Sequence, residues 1–584
     1  LDVLRDPGKR SQHAAVRRAL VDMGRAALNP LVAATESKDN DLLVQVIDVL
    51  GDIGYPESVP YLARLANSRS VAQPVRSAAT QSLMQMGAGD PGGLNASNLF
   101  YDLAEKFYHD TASIVADHRT PTAFVWFWDD NRGLMKRSVP AQIFNEIMAM
   151  RANEYALKID PSKAEATSLW LASNYKREAE MPEGGKDETR AQDTPGAHFY
   201  GVNAGTQYLN DALSRSLRDY NAAVALRVIK SLQEIVGQSN LFTGQGQPLI
   251  DALDYPDRLV RYEAAFALAG ALPQQQFPGQ DRVVPLLAEA LSQTGKANVL
   301  VVMPSQDAAN AIVDALKSEG FGAVGAANAQ GAIAASAQVP SVDVILLTED
   351  LGAGEIGALL NNAQGNPRLA RVAKLVITKT ASSPYAIQSA NDPLMNAVQS
   401  SEPAALKAAI ESARGRGGSL PLDDEAATSY ALRSAELMGK LAISRGQVYD
   451  LMTAQSALLA ALNDPRADVV KASGNVLGLL NSKESQAGLF TKAQADDTGE
   501  DVKVSLFKSL ATSAKFFGNQ LDGSQVDGLQ QTVQEAQNLA VRSSAAEARG
   551  ALNLPAEQAT QLIIAQSKTT LGGNGQTNKQ ENGE

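Results

Sequence analysis

The sequence contains no cysteine among its 584 residues. This absence excludes disulfide bonds, thiolate catalysis and zinc or iron–sulfur sites held by cysteine. A cysteine-free chain of this length favours an exported location, in the periplasm or cell envelope, over a cytoplasmic one, although cysteine-poor cytoplasmic proteins share this composition.

Aromatic residues, positive charge and long apolar runs are also scarce. Aromatic residues make up 5% of the chain, the formal net charge is −12 and the sequence pI is about 5.1. Affinity for DNA or RNA comes largely from Lys and Arg side chains that meet phosphates, so no nucleic-acid binding is predicted. No apolar run approaches the roughly 20 residues that span a bilayer, so no membrane insertion is predicted.

Familiar catalytic and metal-binding motifs are missing as well. The four histidines belong to no H-E-x-x-H or zinc pattern, and the chain has neither a P-loop nor a G-x-S-x-G turn. The sequence therefore predicts a protein that is not an enzyme and that holds no cofactor or metal.

Repeated helical segments occupy much of the chain. ALDYPDRLVRYEAAFALAGAL (252–272) and ALNDPRADVVKASGNVLGLL (461–480) share an Asp that precedes a Val and a basic residue by six and seven positions. Asp and Pro favour a helix start, and apolar residues at three- and four-residue spacing form one face. Because one such helix pair cannot bury its face, neighbouring pairs are predicted to stack.

Glycines close several of these segments. Gly24, Gly54 and Gly87 lie 30 and 33 positions apart, and Gly237 and Gly270 lie 33 apart. We expect each to adopt the left-handed conformation that ends a helix.

The pattern resembles bacterial HEAT repeats of the lyase-like type, over roughly 1–90, 205–295 and 425–565. The resemblance implies an α-solenoid that binds other proteins. Acid–base pairs in these repeats, such as Asp254 with Arg261, are interpreted as parts of a structural ladder between neighbouring repeats and not as catalytic groups.

A different pattern occupies residues 91–200. The text at 153–181 resembles a tetratricopeptide repeat, and AFVWFWDDNRGLMKRSVP (123–140) predicts a short β-hairpin. Phe124, Trp126 and Trp128 would share one face of the first strand.

Two interpretations of the hairpin aromatics remain open. They pack on neighbouring helices of the same chain, or they form an exposed anchor for a partner. Val125 and Phe127 make the opposite face apolar too, and a two-stranded ribbon has little interior of its own. We therefore expect the tetratricopeptide-like helices to cover one face, and another protein or a second copy of this chain to cover the other.

Alternating strand and helix patterns follow at 296–416. Apolar strands are predicted at 298–303, 323–327, 342–348 and 373–380, which indicates a doubly wound parallel sheet. The segment LKSEGFGAVGAANAQGAIAAS and the strand VDVILLT resemble bacterial response-regulator receiver domains. The resemblance implies a flavodoxin-like α/β fold whose pocket lies where the strands end.

The residues expected in a receiver pocket are mostly replaced. Met303 and Pro304 stand where the family has an acidic pair for Mg²⁺, and Thr348 stands where it has the phosphorylated Asp. Thr380 aligns with the switch Ser or Thr, and Gln399 aligns with the conserved Lys. A thioether and an imide offer Mg²⁺ no anionic oxygen, so the resemblance implies a pseudo-receiver.

Polar segments separate these parts. PEGGKDETRAQDTPG (182–196) and ARGRGGSLPLDD (413–424) are predicted to be linkers, and 569–584 is predicted to be a polar tail.

The fold class is therefore predicted as mainly α, a HEAT- and TPR-like solenoid with an inserted flavodoxin-like pseudo-receiver and a short hairpin. The predicted domains are 1–90, 91–200, 201–295, 296–416, 417–568 and the tail. The predicted function is a non-enzymatic scaffold for other proteins or copies of itself, within a larger bacterial cell-envelope or extracellular assembly. The alternatives are a regulatory protein whose pseudo-receiver senses a partner or ligand, and a chromophore-lyase-like HEAT protein.

Overall fold

A computed structural model describes residues 1–111, 115–117, 119–242, 246–416, 420, 422–555, 560 and 563–564. The chain divides into two compact units, Leu1–Leu249 and Ile250–Glu584. Both are mainly helical. The predicted polar tail at 569–584 lies outside the described residues, as do 417–419 and 421 of the second predicted linker.

The first unit consists of helices and one hairpin. Its helices are α1 (Asp2–Arg5), α2 (Arg10–Met23), α3 (Arg25–Ala34), α4 (Asn40–Ile53), α5 (Val59–Asn67), α6 (Gln73–Gln85), α7 (Ala96–Tyr108), α8 (Phe144–Ile159), α9 (Ala164–Ala179), α10 (Ala197–Ala204), α11 (Thr206–Arg218) and α12 (Ala222–Ile235). The hairpin strands are β1 (Thr122–Asp129) and β2 (Gly133–Pro140). The short helix α13 (Pro248–Asp251) follows.

The second unit combines helices with a parallel sheet. Before the sheet come α14 (Arg258–Gly270) and α15 (Val283–Leu291). The sheet region contains β3 (Asn298–Val302), α16 (Gln306–Ser318), β4 (Gly322–Ala326), α17 (Ala329–Ser336), β5 (Val344–Thr348), α18 (Gly352–Gln364), β6 (Ala373–Ile377), α19 (Pro384–Gln388), β7 (Met395–Val398) and α20 (Pro403–Arg416). The helices α21 (Asp424–Ser444), α22 (Gln455–Ala461), α23 (Ala467–Leu477), α24 (Lys483–Gln494), α25 (Glu500–Phe517), α26 (Gly523–Glu535) and α27 (Leu539–Ala551) follow.

Local capping sets many helix ends. Asp39 Oδ1 accepts hydrogen bonds from the backbone N–H groups that start α4, and Gly54 ends that helix at φ 73°. Gly87 also has positive φ, as expected, whereas Gly24 has φ 53° with ψ −122°, which is not the left-handed helical conformation. The expectation is wrong for Gly237 and Gly270, neither of which has positive φ.

The packing around Gly270 explains why this glycine does not take the left-handed conformation. Gly270 is the last residue of α14, and Leu272 takes the left-handed conformation two positions later, at φ 49°. A Cβ at 270 would lie 4.0 Å from Leu437 of α21. The glycine therefore sits where another helix packs, and its position in the chain does not mark the left-handed residue.

The five-stranded sheet is parallel throughout. Its strand order is β4-β3-β5-β6-β7. Helices α16 and α20 cover one face, and α17 and α18 cover the other. Each of the four predicted strands overlaps a strand of this sheet, because continuous apolar runs suit strands that are buried on both faces.

The sheet region lies between two helices that contact one another. Helices α15 and α21, which flank it in sequence, pack directly on one another. Ser434 of α21 bonds to the backbone carbonyl of Leu287 in α15. A Cβ on Gly295 would lie within 2.1 Å of Asp424 Oδ1, so the entry and exit of the sheet region meet side by side.

The segment 182–196, predicted to be a linker, is instead packed against α9. Asp187 is only 9% exposed, and its carboxylate lies 3.2 Å from Arg177 Nη1. Burying a charged pair in this way holds a segment in place, which composition alone did not reveal.

None of the described helices is long and apolar enough to cross a membrane.

Candidate functional site

Ion pairs and hydrogen bonds connect the amino ends of the sheet strands to the helices α14 and α15 that precede the sheet. Arg258 of α14 forms an ion pair with Asp343, which precedes β5, at 3.0 Å, and each side chain is 6% exposed. Arg258 also bonds to Ser341 Oγ at 2.5 Å. Beside this pair, Arg368 lies 3.4 Å from Glu289 of α15. This polar network fixes the orientation of the sheet and leaves its carboxyl ends on the far side.

The carboxyl ends of β3 and β5 hold the first predicted pocket residues. Met303 is buried at 5% exposure, and Pro304 beside it is exposed. Thr348 is 7% exposed, and its hydroxyl accepts a hydrogen bond from the Asp350 backbone N–H at 3.3 Å. The threonine oxygen therefore caps the turn that follows its own strand.

The two nearby carboxylates already have partners. Glu349 accepts hydrogen bonds from the Lys379 backbone N–H at 2.6 Å and from Ser383 Oγ at 2.7 Å. Asp350 lies 2.5 Å from Lys379 Nζ, and the hydrogen bond between them raises the pKa of Lys379.

These groups do not fit the Mg²⁺ site of a receiver domain. Met303 and Pro304 supply no anionic oxygen, and the side-chain oxygens of Glu349 are engaged with the backbone and turn that follow β6. Within the described ranges, no cluster of three or more His, Asp or Glu side chains could hold a metal ion.

Two threonine hydroxyls follow β6 at this end, one exposed and one buried. Thr380, the residue aligned with the receiver switch, is exposed, and its hydroxyl lies 3.1 Å from Ser382 Oγ. Thr378 directly follows β6, is 2% exposed, and its hydroxyl has no hydrogen-bond partner among the described residues. The sequence LVIT (375–378) indicates this position, because a hydroxyl residue directly follows an apolar strand. Gln399, after β7, is exposed.

The second candidate site is the hairpin. Strands β1 and β2 pair antiparallel from Thr122 with Pro140 to Asp129 with Gly133. Asp129 Oδ1 accepts from two backbone N–H groups of the turn. Gly133 has φ 78°, as a tight turn of this kind needs.

The predicted aromatic anchor is covered in part by the chain itself. Trp126 and Trp128 are half-buried, and Phe124 is 43% exposed. Trp128 Nε1 donates to Asp130 Oδ1 at 3.0 Å, and Arg5 stacks over its ring at 5.5 Å.

The chain itself covers part of the hairpin, and the expectation that another protein or a second copy of this chain covers one face stays a prediction. Both α8 and α3 pack on β1, and α3 belongs to the repeats about 100 residues earlier in the chain. Val125 is fully buried. The exposed part of the predicted anchor is Phe124, and its role as an interface stays a prediction.

A family model described as HEAT repeats matches residues 1–84. No curated protein matches the chain. The similar solved structures include a crystal structure of an engineered protein, at 15% identity over 90% of this chain and 99% of that one, with a TM-score of 0.25. A likeness at this level carries no argument about fold or function.

Charged contacts in the helical segments connect successive helices. Arg261 lies 3.4 Å from Glu289, and Asp254 pairs with Arg282, each 28 positions onward. Lys471 lies 3.2 Å from Asp501, 30 positions onward. The catalytic alternative would need Asp254 next to Arg261, whereas each residue pairs with the next repeat.

The HEAT-repeat region 1–84 also contains a groove of about 1070 Å³. Arginines of α2 line one wall and aspartates near α4 line the other, and Arg17 lies 3.3 Å from Asp48. The groove is therefore lined by charges of both signs, and Arg17 joins its two walls.

Proposed function

We propose that the chain is a non-enzymatic scaffold for protein–protein interaction, and that its residues 296–416 form a receiver-like docking domain that has lost phosphoryl chemistry. The proposal keeps the domain boundaries 1–90, 91–200, 201–295 and 417–568 for the surrounding helical parts. HEAT repeats commonly mediate protein interaction, which supports the scaffold role.

One observation carries the receiver part of the proposal. Thr348 occupies the end of the central strand β5, and its hydroxyl is used to cap the following turn. An aspartate at that place forms a reactive acyl phosphate, whereas a threonine ester of phosphate would not be reactive in that way. The strand order agrees with a doubly wound sheet, whose ligands lie beyond the carboxyl ends of the strands.

The position of the sheet region suits a docking role. Its amino ends are fixed by the buried Arg258–Asp343 pair, while Pro304, Thr380 and Gln399 at the opposite ends are exposed. A surface that is rigidly mounted and exposed loses little freedom when a partner binds.

The direct test measures the melting temperature of the full chain with Mg²⁺ and beryllofluoride, which imitates an acyl phosphate. A ligand at 100 times its dissociation constant would stabilise by about 2.7 kcal/mol, a shift that a melting curve resolves. We expect no shift. A rise in melting temperature that disappears in Thr348→Ala would show a working phosphoryl site and refute the proposal.

The scaffold role is tested by isolating the protein from its source and identifying what accompanies it. We expect stoichiometric protein partners that dissociate from a variant carrying Thr380→Arg and Gln399→Arg. If this variant retained every partner, the claim that partners dock at the carboxyl ends of the strands would be wrong. A stoichiometric small molecule in place of a protein would favour a ligand-sensing role.

A further inference from the structure

Phe124 and Lys136 of the hairpin and Arg151, Tyr155 and Lys158 of α8 form a group of rings and cations, here called the hairpin patch, in which Phe124 is exposed and Tyr155 is buried. Lys136 Nζ lies 3.9 Å from the centre of the Phe124 ring and 5.8 Å from that of Trp126. Lys158 Nζ lies 5.2 Å from the Tyr155 ring. Phe124, Arg151 and Tyr155 line one shallow recess together, so the rings belong to one surface.

The cations of the hairpin patch lack acidic counterparts. Within the described part of the chain, Lys136, Arg151 and Lys158 form no ion pair with a carboxylate. Arg151 donates to the Trp126 carbonyl at 2.8 Å and stacks over Phe127 at 4.5 Å. A neighbouring acid, Glu36, is already paired with Arg64 at 2.6 Å.

This arrangement is unusual for the chain that carries it. The formal net charge of the whole protein is −12, yet Lys136 stacks on the exposed Phe124 ring, and Arg151 and Lys158 stack on the Phe127 and Tyr155 rings nearby. Lys136 and Lys158 are exposed, so water and a partner can reach both. Cation–π contacts hold the ammonium groups over rings without neutralising them, and their positive charge remains available.

We infer that the hairpin patch binds an acidic polypeptide segment of a partner protein, with an apolar side chain seated against Phe124 and carboxylates beside Lys136 and Lys158. The inference rests on the proposed scaffold function and names the kind of partner that one of its surfaces takes. Aromatic and arginine side chains are enriched in interface centres, and complementary charge directs the encounter.

The charge of the whole chain favours a short acidic segment over a nucleic acid. Exposed charges act over a Debye length of about 8 Å at physiological salt. A short peptide stays within reach of the patch, whereas a long polyanion would extend beyond it over a protein whose formal net charge is −12. Nucleic-acid affinity also grows with the number of Lys and Arg contacts to phosphate, and the patch offers few.

The test uses the full chain and a fluorescently labelled peptide of Glu and Asp residues around a central Leu, followed by anisotropy. The decisive variants are Lys136→Glu and its matched control Arg137→Glu. Both residues are exposed neighbours on β2 and change the net charge equally, but Val125 is the cross-strand partner of Arg137 and Trp126 that of Lys136. The two side chains therefore lie on opposite faces of the hairpin.

We expect Lys136→Glu to weaken binding by about tenfold or more, and Arg137→Glu by about twofold or less. Phe124→Ala should weaken binding of the Leu peptide but not of the same peptide with Gly in place of Leu. Circular dichroism confirms that each variant is folded.

If Lys136→Glu and Arg137→Glu lost equal peptide affinity, the attraction would come from overall charge and not from a defined site. That result would overturn the inference. Tighter binding of a single-stranded oligonucleotide than of the peptide would overturn it too, in favour of nucleic acid. Neither result affects the beryllofluoride test, since that concerns residues 296–416 alone.

Discussion

The two ends of the five-stranded sheet are built in contrasting ways. At the amino end, Arg258 and Asp343 are buried together and joined to Ser341 across more than 80 positions of sequence. At the carboxyl end, Asp350 and Lys379 form an ion pair of similar length, but their side chains are 51% and 70% exposed. Although the two distances are similar, removing one partner should cost far more stability at the amino end. A buried charge without its partner is left unsolvated, whereas an exposed charge is stabilised by water.

The two ends of the sheet therefore have different roles. Buried pairs determine where the sheet region sits, and exposed residues at the other end can change without moving it. Substitutions at the amino end should therefore alter stability, and substitutions at the carboxyl end should alter only what binds there.

The largest effect is expected from Arg258→Ala. It leaves Asp343 buried without its guanidinium partner, which costs about 3–5 kcal/mol. The loss is measured as faster hydrogen exchange of the β3 and β5 amides, which report local opening. The double variant Arg258→Met with Asp343→Leu should exchange more slowly than Arg258→Ala. Slow exchange in Arg258→Ala itself would mean that the pair does not hold the sheet region.

A smaller loss is expected from Asp257→Ala. Asp257 caps α14 by accepting from Leu259 and Val260 N–H groups, and its second oxygen accepts from the Leu420 N–H at 2.7 Å. Loss of a helix cap costs about 1–2 kcal/mol, seen in urea unfolding. Asp257→Asn keeps an acceptor oxygen for the cap and serves as the control, and equal losses in both variants would contradict a capping role.

Lys374→Met should stabilise the sheet region, and by an amount that depends on pH. Lys374 lies in β6 near the amino end, and burial lowers its pKa below the ordinary 10.5, against a smaller opposing effect of Asp392. The unfolded chain holds more protons than the folded one just below pH 10.5, so wild-type stability rises with pH there. The advantage of Met should be largest at neutral pH and shrink towards pH 10.5, measured by urea unfolding. An advantage independent of pH would exclude the charge as its cause.

The smallest effect is expected from Lys379→Ala at the carboxyl end. The Lys379–Asp350 pair is exposed, and water replaces its attraction. Urea unfolding should show no measurable change. A clear loss of stability in Lys379→Ala would show that the exposed pair also stabilises the fold, and the two ends of the sheet would not differ as described.

Much of the candidate pocket was predictable because it depends on strand ends. The apolar runs placed β3, β5 and β6, and with them Met303 and Thr348. The assignment of Thr380 to the receiver switch stays a prediction, while the buried position of Thr378 follows from the register of β6 with β5, in which Thr348 lies opposite Ile377. Counting along the sequence cannot supply that register.

The hairpin illustrates the opposite case. Its strands and turn followed from alternation and from the DDNRG text, but its environment did not. Whether Trp126 faces water depends on α3, which approaches from a distant part of the sequence. The sequence pointed only to the tetratricopeptide-like helices as cover for the hairpin, and the contact with α3 was missed for that reason.

The sequence by itself determined the local structure: helices that begin after Asp39 or Asp257, the left-handed Gly54, and strands written as continuous apolar runs. These depend on dihedral preferences, capping oxygens and burial patterns within a few residues. Only the tertiary structure decided that Arg258 meets Asp343 and that Phe124 stays exposed beside Lys136. Such pairings join residues far apart in the chain, and their energies depend on how completely water is excluded once the helices pack.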